Sequence, residues 1–161
     1  MISLDHRFHQ GESPQVIWPR CFRYTPIGTL SPRRIFLAEP DCEKASARGH
    51  LLERYGYEVL SCCDVSSIKK CFQGMAQHAT CRKFVNLIIC DIRLIDSSLT
   101  HFIRSGQASV DFPPLLLLSD QSGFKLLQNI KERKRIKYHD TLEGNADAHD
   151  QVLLVRQWAP Y

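Results

Sequence analysis

No apolar stretch in this 161-residue chain approaches the roughly 18 to 20 residues that span a bilayer. Met1 to Gln10 carries His and Arg but no continuous apolar core, so a secretory signal is not expected either. A cytoplasmic location, without a membrane, follows as the default expectation. There is no glycine-rich phosphate loop and no Gly-x-Ser-x-Gly turn, which removes two common enzyme signatures. There is also no Cys-x-x-Cys pair. Charge of one sign does not dominate: 21 Lys and Arg against 17 Asp and Glu leave a net +4. Much of that excess is local, at Lys131, Arg133, Lys134, Arg135 and Lys137. Such a cluster suits a solvated helix end or an acidic partner better than nucleic acid.

Seven cysteines stand at 21, 42, 62, 63, 71, 81 and 90. An odd number, several inside apolar patterns, predicts reduced thiols acting as small buried hydrophobes. Cys71, His78 and Cys81 are the nearest approach to a metal cluster, and they lack a fourth ligand. The vicinal pair Cys62-Cys63 reads as packing, with redox sensing as the alternative.

What the chain does have is three apolar runs that each end on polar groups. Phe84 to Cys90 is apolar but for Asn86 and stops on Asp91; Pro114 to Leu118 stops on Ser119 and Asp120; Arg34 to Ala38 stops on Glu39, Pro40 and Asp41. Runs apolar on both faces are strands from the middle of a parallel sheet. Ligands gather at the carboxyl ends of such strands, so Asp91 stands where chemistry is usually done. The length favours one domain, and 43% hydrophobic with 24% charged residues is the composition of a globular one.

Residues 1–32 form an irregular N-terminal extension, punctuated by Pro14, Pro19, Pro26 and Pro32 and without a persistent period. It is expected to be partly disordered or draped over the domain, docked through Trp18, Phe22 and Tyr24. From Arg33 to Tyr161 strands and helices alternate. Strands are predicted at Arg34–Ala38, Tyr57–Ser61, Phe84–Cys90 and Leu115–Leu118, with a weak fifth between Ile136 and Leu142. Helices are predicted at about Cys42–Tyr55, after Asp64, at Ser98–Ser105, around Phe124–Ile130 into the basic cluster, and at Asp147–Trp158. Asp41 and Asp64 are placed as N-caps and Gly56 as a left-handed terminator. The fold class is α/β, a (βα)₅ doubly wound parallel sheet covered on both faces.

The acid-ended first strand, then Tyr55-Gly56-Tyr57-Glu58-Val59, Leu87-Ile88-Ile89-Cys90-Asp91-Ile92-Arg93-Leu94 and Leu115 to Ser119 together resemble a CheY-like response-regulator receiver domain, of flavodoxin-like fold. The resemblance implies a non-enzymatic module of a two-component phosphorelay, taking a phosphoryl group from a histidine kinase or phosphotransfer protein. It makes Asp91 the phosphoacceptor and Ser119 the switch hydroxyl. It assigns Glu39, Asp91 and the backbone carbonyl of Arg93 to Mg²⁺, with Asp41 as a substitute ligand if its loop rearranges. A dianion at Asp91 is then expected to pull Ser119 inward and bias the surface of the fourth helix, fifth strand and last helix.

The departures point to a degenerate member. Pro40 replaces the second metal acid, no Lys-Pro follows the fifth strand, Ile95 stands where a proline is usual, and Asp120 adds charge beside the switch hydroxyl. With no output module before Tyr161, the output is expected to be a downstream protein partner, a homodimer or a domain beyond this chain. The alternative is a phosphorylation-independent pseudo-receiver that binds partners through the basic cluster or the extension.

Overall fold

A computed structural model describes residues 33–119, 124–130 and 134–160. The expected extension, Cys21, Asp120, Lys131 and Arg133 lie outside the described residues. Five parallel strands, β1 (Arg34–Ala38), β2 (Glu58–Cys62), β3 (Leu87–Asp91), β4 (Leu115–Ser119) and β5 (Asp140–Glu143), form one sheet in the order β2-β1-β3-β4-β5. Among the described residues the α-helices are α1 (Cys42–Arg54), α2 (Val65–Gln77), α3 (Ala79–Phe84), α4 (Ser97–Gln107) and α5 (Phe124–Asn129) between strands, and α6 (Ala148–Trp158) after β5. This is the doubly wound α/β architecture that the alternation predicts.

Alternation along the strands splits the core in two. Phe36, Leu60, Ile88, Cys90, Leu115 and Leu117 meet Ile68, Phe72 and Met75 of α2 and Leu99 and Ile103 of α4 on one face. Ile35, Leu37, Leu87, Ile89, Leu116 and Leu118 meet Leu52 of α1 and Val152 and Val155 of α6 on the other. β3 and β4 are buried at every position, and each such Leu or Ile contributes roughly 1.5–3 kcal/mol of transfer free energy. The helix signals act as read. Asp41 accepts from the amides of Glu43 and Lys44, Asp64 from that of Ser67, and Gly56 ends α1 at φ 90°.

Three expectations need correction. The third strand starts at Leu87 rather than Phe84, because α3 takes Ala79–Phe84 and Asn86 pairs sideways with Arg34. The Asn86 amide donates to the Arg34 carbonyl at 2.8 Å and its Oδ1 accepts from the Arg34 amide at 2.8 Å. The fifth strand begins at Asp140, not Ile136. The Gln107 side chain bonds both backbone groups of Lys137, and the His139 Nδ1 accepts from the Leu115 amide at 3.1 Å, so this stretch is anchored by side chains.

The third correction concerns the cysteines. Cys42 and Cys63 form a disulfide with Cα atoms 5.2 Å apart. β1 and β2 run in register with Ala38 beside Cys62, which brings the residues after both strands to one edge. Alternation turns Cys62 into the core and its neighbour Cys63 outward toward Cys42. The bond closes a loop of 21 residues, worth about 3 kcal/mol in the chain-entropy account. Cys62, Cys71, Cys81 and Cys90 are buried, as the apolar patterns predict.

Candidate functional site

The register brings the ends of β1, β3 and β4 together. Ala38 pairs with Cys90, so Glu39 and Asp91 follow at the same level on adjacent strands. Asp91 pairs with Leu118, which puts Ser119 one residue further along the same edge. All three are buried: Glu39 is 1% exposed, Asp91 5% and Ser119 7%. The runs that end on these residues therefore converge, as the sequence predicts. Burial, reinforced by the nearby Asp91, pushes the Glu39 carboxyl above its ordinary range. The amide of Asp41 and the cations Arg93 and Arg48 oppose the rise.

Arg93 dominates the geometry. A short 3₁₀ turn at Ile92–Leu94 aims its side chain back across the edge. Asp91 Oδ1 accepts from the Arg93 amide at 2.8 Å and from Nε at 3.0 Å, and Oδ2 accepts from Nη2 at 2.7 Å. The same Nη2 lies 3.3 Å from Glu39 Oε1. One guanidinium thus bridges acids from two strands in the forked arrangement that suits carboxylates.

Of the residues that the resemblance assigns to Mg²⁺, Glu39 and Asp91 come together and Asp41 does not. Asp41 Oδ1 is taken by the amides of Glu43 and Lys44 in the first turn of α1, at 3.1 and 3.2 Å. Pro40 offers no side-chain oxygen. Among the described residues no group of three or more His, Cys, Asp and Glu side chains is arranged to hold a metal. Mg²⁺ demands near-octahedral oxygen ligation. Two carboxylates already bridged by a guanidinium do not fit that demand.

Two cations were not read as site residues in the sequence. Arg48, within the packing face of α1, is 7% exposed. Its Nη1 donates to Gln151 Oε1 and its Nη2 to the Gly144 carbonyl at 3.2 Å. Gly144 directly follows β5, and its amide donates to the Ser119 carbonyl at 2.7 Å. Arg48 therefore sets a positive charge against the segment after the last strand, where the resemblance called for a lysine. Burial lowers its pKa, and Glu39 and Asp91 counteract that fall. An arginine on an otherwise apolar helix stripe was the available signal. The second is Lys134 of the basic cluster, which is not wholly solvated: its Nζ donates to the carbonyl of Ile95, in the loop after Asp91.

No protein-family profile and no curated protein sequence matches the chain. Solved structures do. The chemotaxis protein CheY4 of Vibrio cholerae superposes with a TM-score of 0.59 at 15% identity, covering 80% of this chain and 99% of that one. The receiver domain of an HD domain-containing protein of Pseudomonas fluorescens gives 0.58 at 19% identity, over 80% and 94%. A response-regulator receiver domain of Methanospirillum hungatei gives 0.58 at 15% identity, over 79% and 93%. With its five parallel strands in the order β2-β1-β3-β4-β5 and acids at their carboxyl edge, the chain has the fold of the CheY-like response-regulator receiver domains.

Proposed function

We propose that this chain is a pseudo-receiver: a non-enzymatic signalling module of the cytoplasm that works by protein–protein contacts and does not depend on metal-assisted phosphorylation. The observation that carries this reading is the Arg93 guanidinium, which occupies both Asp91 oxygens and one of Glu39. A carboxylate whose two oxygens are both paired with a cation is a poor nucleophile toward phosphorus, and the cation already supplies the charge balance that a metal brings elsewhere. Pro40 in place of an acid, and Glu143-Gly144 where a lysine is usual, support the same reading. The unit that acts is residues 33–161, with residues 1–32 as an extension available for docking. Its partner is a downstream protein or a second copy of the chain.

A second reading is favoured by the convergence of Asp91, Glu39 and Ser119 on one buried edge. In it an Asp91 oxygen attacks the phosphorus of a phosphohistidine on a kinase or phosphotransfer protein, the histidine leaves, and an acyl phosphate forms beside Ser119. Arg93 must first swing away from Asp91 to free that oxygen. Intact mass after incubation with acetyl phosphate and Mg²⁺, beside an Asp91→Asn control, separates the two. The pseudo-receiver predicts no adduct on a well-folded chain. A phosphoryl adduct that vanishes in the control overturns it and makes Asp91 a working acceptor.

A further inference from the structure

The Cys42–Cys63 bond shares the edge that carries the acids, yet the proposed function makes no use of it. Cys42 is exposed and Cys63 half-buried, so the bond lies at the surface rather than in the core. The remaining described cysteines are sealed in the core. Burial pushes the Cys71 thiol up to about 12 and Cys90 still higher, which leaves them inert. Thiol chemistry in the native fold is therefore confined, among the described residues, to this one pair.

The pair also sits where it matters for the acids. The Glu39 amide donates to the Cys62 carbonyl at 3.1 Å, and Glu39 Oε1 accepts from the Asp41 amide at 3.3 Å. Each half-cystine lies next to a capping aspartate: Asp41 caps α1 beside Cys42, and Asp64 caps α2 beside Cys63, accepting from Ser67 at 2.9 Å. The bond thus ties the loop from Glu39 to Cys42 to the loop that opens α2. Cys42 is the first residue of α1, and the amide dipoles there favour its thiolate as a leaving group.

We propose that Cys42 and Cys63 form a reversible dithiol–disulfide site whose oxidised form clamps the β1–α1 loop, and with it Glu39, against the end of β2. The co-reactant is a protein or small-molecule dithiol. Its thiolate attacks the sulfur of Cys63, forming a mixed disulfide, and Cys42 leaves as thiolate. The second thiolate of the dithiol then attacks its own sulfur in that mixed disulfide and releases Cys63. Two electrons and two protons pass to the protein, and the dithiol departs as a disulfide. In a thiol-reducing compartment a surface bond of this kind is a sensor rather than a permanent staple.

The test equilibrates the native chain with reduced and oxidised dithiothreitol over a range of ratios, followed by rapid alkylation and peptide mapping. The expected result is a single transition in which Cys42 and Cys63 become labelled together while the far-ultraviolet circular dichroism stays native, and which reverses on return to the oxidised reagent. Cys42→Ser should abolish it and Cys62→Ser should leave it intact. Amide exchange of Glu39 and of residues 41–44 should accelerate on the order of tenfold in the reduced form. Two free thiols under fully oxidising conditions, a bond that opens only with unfolding, or unchanged exchange at Glu39 and residues 41–44 each overturn the proposal.

Discussion

The guanidinium of Arg93 turns back two residues to grip Asp91, with Nε 3.0 Å from Oδ1 and Nη2 2.7 Å from Oδ2. The side chain that does this is itself 52% exposed, whereas that of its partner is 6% exposed. The cation is thus a lid over a buried acid rather than a member of the core. Solvent screens the outer side of the pair and limits its contribution to stability. Arg93→Met is expected to cost about 1–2 kcal/mol in urea denaturation. It is also expected to raise the affinity for divalent cations, read by Mn²⁺ titration. Lost stability with no gain in cation binding would locate the obstacle at Pro40 instead.

Glu39 sets a pH dependence. Burial raises its native pKa above the unfolded value, so the folded chain keeps this proton to higher pH than the unfolded chain does. Stability is therefore expected to decline as pH rises from the ordinary value of 4.5 through the raised native one. Glu39→Gln should remove that component of the slope. Urea midpoints of both proteins, from about pH 4 to about pH 8, measure it; parallel curves would show that the Glu39 carboxylate is solvated.

Arg48 is the buried cation of the site. Arg48→Met keeps the bulk on α1 but deprives Gln151 Oε1 and the Gly144 carbonyl of their donor. A loss of about 1–3 kcal/mol is expected, because the buried Gln151 oxygen is left unpaired. Arg48 also helps hold the Glu39 pKa down, so the same substitution should move the Glu39 transition to higher pH. Carboxyl chemical shifts during an NMR titration would read that movement, and an unmoved Glu39 would confine Arg48 to packing.

Asp96 offers a control away from the site. It caps α4 by accepting from the Leu99 amide at 2.9 Å and pairs with Lys69 of α2 at 2.6 Å. The Leu99 bond first, and Lys69 next, hold its carboxyl down to about 2. Its stabilisation is present above the ordinary value of 3.8 and is lost as pH falls through about 2. Asp96→Ala should cost about 1 kcal/mol near neutrality. Chemical denaturation should show the gap between variant and wild type closing in strong acid, and a gap that persists there would mean that the carboxylate charge is not what stabilises the helix.

Much of the fold was legible because burial leaves a periodic trace. β1 was read to the residue, and β4 and α6 to within one, since continuous apolar runs and capping acids mark them unambiguously. Asp91 and Glu39 were legible for the same reason: each is the carboxylate that stops a buried run. The fifth strand is weak in the sequence because Lys137, His139 and Asp140 interrupt its pattern, and its start is late because Gln107 and Leu115 hold the backbone before it. α3 was missed because six residues carry too little period to register.

The linear order of residues thus determined the strands, the parallel α/β class and the acids that close the strands, since these follow from local hydrophobic pattern and capping chemistry. Only the tertiary structure decided which cations and which cysteines meet beside those acids at the sheet edge. The disulfide joins cysteines 21 residues apart through the register of β1 with β2. Arg48 reaches Gln151 across 103 residues, and Arg93 reaches Glu39 across 54. Such contacts depend on strand order and on the direction of side chains leaving a turn. Neither quantity has a local period, so the partners of these residues cannot be read from the sequence.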